Sequence, residues 1–510
     1  MPDSAPLVAG PSPGSVPDAD LYSVSTHSHA TVDYANVQYP AALPPPDTIP
    51  PPLTPSFVPP TLSRSNSAYA TGTVLTGARP EPHPAWPGVL VPLDDSQALV
   101  AEMSQFAEHW RSFYVTLNSL YLYSVPRRTR DLLAEHLRFS CARDDLARAS
   151  ASTWSASHYA ALLASGGDPR QAEFADKAAR FYHKALELVH DRAYPLVNRL
   201  HALLDMRLGQ LDHQPAGTAN FLLSVGDQFV LEERGTQPRI NFGQSVGMLE
   251  GILHIFAYAD VLRTVAQPGR RTLFALEDDP ARAVPAAEPQ PVEGDELTSL
   301  MLSSDAVLSE APGVHLGLPR GLLVCLAATT NLACDAPTLA HDQLARRADP
   351  ILARLAAWTP APAPPRESSD SSVQRVVEVA EQEAWRQAGF IYAYTALYRM
   401  GPLDTPVRSA VRQAVRLAGV LALPDVGEGE VGAVFGARAQ AAVWFLVGMV
   451  AVTAEEREAC RARLRACGEG RVWRGNREVV EAWWSRTGEN GVAEGWREAC
   501  EREGWAVAFM

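Results

Sequence analysis

The texture of the chain changes near residue 96. Beyond it, apolar residues recur at Leu99, Met103, Phe106, Trp110, Phe113 and Leu117. Steps of four and three place all six on one face of an α-helix. Asp94, Asp95 or Ser96 stands where a capping oxygen is needed. The same period predicts helices over 127–147, 153–165, 169–190 and 192–208, the third carrying Phe174, Ala178, Phe181, Ala185 and Leu188 on one stripe. Segments 240–266, 296–310, 318–333 and 337–357 read as helical too. Val376, Val379, Ala380, Ala384 and Ala388 open a last block over 373–510. In it, two helices flank GPLDTP (401–406), the second marked by Val407, Val411, Ala414, Val415 and Ala418. An apolar helix over 434–452 and a highly charged one over 454–466 follow. No sustained alternation of Val, Ile and Thr occurs, so little sheet is expected. The pattern predicts an all-α fold, a large multi-helix domain of about fifteen or more helices.

Residues 1–95 are different in kind. Twenty of the 41 prolines lie within the first 92 residues. A stretch such as PPPDTIPPPLTPSFVPP (44–60) cannot form a regular helix or central strand, because proline lacks the amide donor and fixes φ. A long disordered, acidic N-terminal tail with local polyproline character is expected. It reads either as an activation or docking segment or as a plain linker. The expected organisation is a tail over 1–95, a first helical part over 96–358, a flexible linker or insertion over 359–372, and a second helical part over 373–510. Pro- and acid-rich loops are expected at 276–295 as well.

Charge sharpens this division. The 510 residues carry a net −14, and residues 1–104 hold −7 of it, from nine acids and two arginines. That balance argues against a generally basic protein that grips duplex DNA. Positive charge is almost all arginine, with Lys177 and Lys184 the two lysines. The six cysteines contain no C-x-x-C, so a reducing compartment fits better than a disulfide framework. No signal peptide is visible. The longest apolar run, Ala441–Val452, is too short to span a bilayer, and no membrane partner is expected.

Candidate chemistry is sparse. GQSVG (243–247) matches a nucleophile elbow around Ser245. The elbow needs a buried strand before it, and EERGTQPRIN is polar and broken by Pro238. GEGEVG (427–432) matches a phosphate-loop spacing, but Glu428 and Glu430 would repel a pyrophosphate. Cys460 and Cys467 are seven apart on one predicted helix face, and two thiols do not close a tetrahedral metal site. His183 and His190 share that spacing without an acid to complete a site. The arginines and glutamates of 454–478 are mixed at helical spacing, as on a solvated, ion-paired face. No catalytic residue, cofactor site or metal ligand is expected, and no enzymatic activity.

The order of segments in the last block carries a resemblance. EAWRQAGFIYAYTALYRMGPLDTPVRSAVRQAVRLAGVL (383–421) is followed by AVWFLVGMVAVTAEEREACRARL (442–464), then NREVVEAWW (476–484) and GWREACEREGWAVAF (495–509). Upstream stand RFYHKALELV (180–189) and ILHIFAYADVLRTVAQPGRRTLF (252–274). Together they resemble the fungal-specific transcription factor domain that accompanies zinc binuclear-cluster DNA readers. Tyr182, Asp260, Tyr392, Tyr394, Gly448, Ala451, Arg457, Trp483, Trp496 and Gly504 match family positions. The Trp-Pro pair that often opens the apolar helix is Ala442 and Val443 here.

The resemblance implies a transcription-factor-like regulator in the nucleus, acting through protein partners and a homo- or heterodimer. The alternative is a helical scaffold outside transcription, in the cytoplasm. The family's cysteine cluster needs two C-x-x-C pairs near the N-terminus, and residues 1–140 contain no cysteine. Zinc is therefore expected only if a cysteine cluster precedes this sequence, and DNA is expected to be reached only indirectly.

Overall fold

A computed structural model of the protein describes residues 144–165, 167–242, 248–265, 269–277, 314–315, 318–360, 372–421, 437–490 and 495–509, with Cys141 and Gln267 besides. The tail, the Leu99–Leu117 stripe, the segment 296–310, both glycine-rich motifs and most of the 359–372 insertion lie outside them.

Thirteen α-helices are described. They are α1 (Asp145–Ser165), α2 (Gln171–Val189), α3 (Leu196–Leu211), α4 (Ala216–Arg234), α5 (Met248–Val265), α6 (Arg320–Asp335) and α7 (His341–Ala357). Then come α8 (Ser372–Leu397), α9 (Thr405–Leu421), α10 (Ala441–Met449), α11 (Ala454–Ala466), α12 (Arg471–Asn490) and α13 (Trp496–Glu503). Strands are minimal. β1 (Arg239–Asn241) pairs in parallel with β2 (Ala275–Glu277), and β3 (Val314–His315) pairs antiparallel with β4 (Leu318–Pro319). The fold is all-α.

Sequential helices pack as neighbours: α1 on α2 and α3, α3 on α4, α8 on α9. α8 also rests on α6 and α7. One hydrophobic cluster runs from Leu146 to Phe509 and takes in every helix. Its centre is α10, AAVWFLVGM, all nine residues of which are buried between α8, α11 and α12. Such a helix has no polar face to give to water. α9 is the opposite case: Val407, Ala410, Val411, Ala414, Ala418 and Leu421 are buried while Arg412 and Arg416 are exposed.

Three expectations change. The helix expected over 240–266 starts at Met248, because Ile240 and its neighbours pair with β2 instead. Leu276 and Glu277, expected in a loop, form that partner strand. The apolar helix expected to reach 452 ends at Met449. A further helix, α4, was not legible. Its sequence carries Thr218, Asn220, Gly226 and Asp227, and all four are buried, so no polar face alternates with an apolar one. Gly226 is needed there: a Cβ at this position would lie 2.5 and 2.6 Å from two ring carbons of Phe256 in α5.

Candidate functional site

The matched family positions Gly448, Arg457 and Trp483 come together at the turn between α10 and α11. The last carbonyls of a helix have no partner within it. Here the Trp484 indole donates to the Gly448 carbonyl at 2.7 Å, and the Trp483 indole donates to the Met449 carbonyl at 2.7 Å. α12 thus caps α10. A Cβ on Gly448 would stand 3.0 Å from Val480 of α12, so the glycine sets how closely the two helices approach. Thr453 accepts from the Glu456 amide at 3.3 Å, and the Glu456 carboxylate accepts from the Val452 and Thr453 amides at 2.9 and 3.1 Å. This is a reciprocal N-terminal cap. Arg408 of α9 also binds Glu456. Burial opposes ionisation of Glu456, but the Arg408 and amide hydrogen bonds hold its carboxyl below the usual range. Arg457 donates to the Ala451 carbonyl at 3.4 Å and lies with Arg461 over the Trp484 ring, 5.6 and 5.3 Å from its centre.

The segment after α13 is held by side chains from three other helices. The chain leaves α13 through Gly504, at φ 65, a left-handed turn that glycine adopts without strain. Val507, Ala508 and Phe509 are then fully buried. Asn220 of α4 donates to the Val507 carbonyl at 3.1 Å, Asn476 of α12 donates to the Ala508 carbonyl at 2.8 Å, and Arg207 of α3 donates to the Phe509 carbonyl. Burial, and secondarily the charge of Arg263, draws the Arg207 guanidinium down to about 9. Trp496 stands edge-on to Phe445 of α10, and Phe445 is edge-on to Phe509. At the start of α12, Asp212 accepts two bonds from Arg438 at 2.6 and 3.1 Å and one from the Trp473 indole at 3.1 Å. It joins the end of α3 to the last block.

Asp260 belongs to a separate buried cluster. Arg263 binds Asp227 at 3.0 Å and Asp260 at 2.5 Å, Arg270 binds Asp227 at 2.6 Å, and the Leu273 amide donates to Asp260 at 2.6 Å. Two acids balance two arginines, so the burial is electrically neutral. Burial pushes the Asp260 carboxyl up, against the pull of Arg263 and with the repulsion of Asp227.

The remaining matched positions are structural in their contacts. Tyr182 is buried in α2, and burial raises its hydroxyl. Tyr392 is buried with its hydroxyl 2.9 Å from that of Thr330. Tyr394 stacks on Phe390 at 5.9 Å and meets Tyr398 at a tilt, 6.5 Å between centres. Sequence reasoning missed Asn220, Asn476, Arg207 and Asp227. The spacing of Asp260 and Arg263 was the one available signal for the buried cluster.

Cys460, Cys467 and Cys500 are buried one by one. Burial pushes Cys467 and Cys500 up to about 12 and raises Cys460 as well. Among the described residues no three His, Cys, Asp or Glu converge on one point. His183 and His190 pack on Tyr182 and Phe229 instead. Ion pairs do link the charged face of α11 and α12: Arg461 with Glu458 and Glu481, and Arg477 with Glu469.

The model of the fungal specific transcription factor domain family matches residues 223–510, more than half of the chain. The chain belongs to this family. The match takes in α10–α13, the buried cluster and every matched position except Tyr182, which lies before it. No curated protein and no solved structure matches the chain significantly. Among the described residues, no helix is long and apolar enough to cross a membrane.

Proposed function

We propose that this member of the fungal specific transcription factor domain family acts in the nucleus as a regulator whose helical domain binds protein partners, and that it does so without catalysis. The family match over 223–510 carries this reading. The proposal has DNA reached through a partner or a dimer, because residues 1–140 hold no cysteine and this segment does not supply a two-zinc DNA reader. The Pro-rich acidic tail, at −7 over residues 1–104, suits contact with other proteins better than contact with phosphates.

Two paired measurements test it. The tagged full chain is imaged and crosslinked to chromatin in fungal cells, and the purified chain is mixed with the recovered DNA fragments. Nuclear signal with discrete crosslinked sites, and no band shift by the purified chain alone, is the expected outcome. A band shift by the chain alone would overturn indirect recruitment. A cytoplasmic protein without crosslinked sites would overturn the transcriptional reading and favour a scaffold.

A further inference from the structure

Five arginines are buried: Arg148, Arg199, Arg207, Arg263 and Arg497. Four have partners. Arg148 binds Asp145 and the Cys141 carbonyl, and Arg199 binds Glu233 and the Val189 carbonyl. Arg207 binds the Phe509 carbonyl, and Arg263 binds two aspartates. Arg497 differs. It is 8% exposed, and among the described residues neither its Nε nor its Nη2 has a hydrogen-bond partner and no acid pairs with it.

Arginine keeps its charge in proteins. A buried charge without a counterion is costly, and natural structures pair it. The guanidinium carbon lies 5.4 Å from the centre of the Tyr392 ring, which recovers part of that cost but leaves Nε and Nη2 without a hydrogen-bond partner. The groups in direct contact are uncharged, while Glu498, Asp335 and Arg271 act from further out on the neighbouring thiols. Tyr392 shares a hydrogen bond with Thr330. The charge of Arg497 also reaches the thiols of Cys334 and Cys500, whose ionisation burial opposes. Thr330 and Cys334 are one turn apart on α6 and so share a face. Cys334 is half-buried, which brings this neighbourhood to the protein surface.

We propose that Arg497, with Tyr392 and the Thr330–Cys334 face of α6, forms a binding site for a small organic carboxylate. The planar fork of a guanidinium matches a carboxylate through two parallel N–H bonds. One guanidinium carries one positive charge, which a monoanion balances. A phosphate dianion would exceed it by one negative charge, near the Glu498 and Asp335 carboxylates that act on the neighbouring thiols. The site does not depend on the transcriptional reading, since binding is read on the purified chain.

Thermal unfolding of the full chain is followed in acetate, isobutyrate, benzoate and phosphate against chloride, at matched ionic strength. At least one carboxylate raises the midpoint and saturates. At a concentration of about 100 times Kd the unfolding constant falls roughly 100-fold. Arg497→Met abolishes the response and unfolds at a higher temperature than the parent in chloride, because it removes an uncompensated buried charge. Arg497→Lys keeps the charge, loses the fork and weakens the response. The proposal is overturned if no carboxylate shifts the parent, if phosphate shifts it equally, or if the response survives in Arg497→Met. It is also overturned if Arg497→Met lowers the midpoint in chloride, which would make the residue structural.

Discussion

Gly226 sits where α4 closely approaches Phe256 of α5, and Gly226→Ala tests the packing directly. The added Cβ would stand 2.5 and 2.6 Å from Cε2 and Cζ of Phe256. Carbon atoms rest at about 3.5–4.0 Å, so the ring must retreat by roughly 1 Å. It has little room. Phe256 is fully buried and stands edge-on to Phe274, 6.2 Å between centres. Overpacking of this kind costs about 1–3 kcal/mol, and so enclosed a ring points to the upper part of that range. Replacing glycine inside a helix returns about 1 kcal/mol. The net loss is then roughly 1–2 kcal/mol. Phe256→Leu removes the ring atoms that clash. In that background Gly226→Ala becomes neutral or stabilising, by up to about 1 kcal/mol. Guanidinium unfolding followed by circular dichroism on the four proteins gives the coupling, expected at about 2 kcal/mol. Additivity within about 0.5 kcal/mol would refute the close approach of α4 and α5.

Three further outcomes follow from other contacts. Asp227→Ala leaves Arg263, which is 2% exposed, with half of its counter-charge, and costs about 3 kcal/mol in denaturant unfolding; a loss under about 1 kcal/mol would contradict the buried cluster. Asn476→Ala strips both bonds from Ala508, which faster hydrogen exchange over 505–509 and quicker cleavage after Arg502 will report; unchanged protection would mean the segment is not held this way. Burial depresses His213 below its ordinary 6.5, against the pull of Asp212 and of its 2.7 Å bond with the Ser157 carbonyl. The unfolded chain therefore binds the proton more readily, and this stability is present above pH 6.5 and fades as pH falls through the lower folded value. His213→Asn should flatten that acid-side decline, and an unchanged slope would exclude His213 as its source.

The helices that could be read from sequence are those with one wet face. α9 alternates buried valine and alanine with exposed Arg412 and Arg416, so its period is visible. α10 is visible for another reason, as an unbroken apolar run. α4 was hidden because its buried faces carry Asn220 and Asp227, which look like loop residues until their partners are known. Those partners are far along the chain: Val507 for Asn220, and Arg263 with Arg270 for Asp227. Side chains that capture a distant carbonyl leave no periodic trace. Neither does Arg497, which differs from the exposed Arg502 five residues later only in what surrounds it. The family positions were legible as types, whereas the capping of α10 by two indoles became clear only from the crossing of α12.

We propose that this chain regulates transcription through its helical domain. Fusing the full chain to a heterologous DNA-binding domain, with a reporter placed behind the matching sites in a fungal cell, measures that most directly. A reproducible change in reporter output, of either sign, is expected, and it disappears when Asp227→Ala destabilises the helical body. A fusion that is folded, nuclear and bound at the sites, yet leaves the reporter at the level of the DNA-binding domain alone, would contradict it.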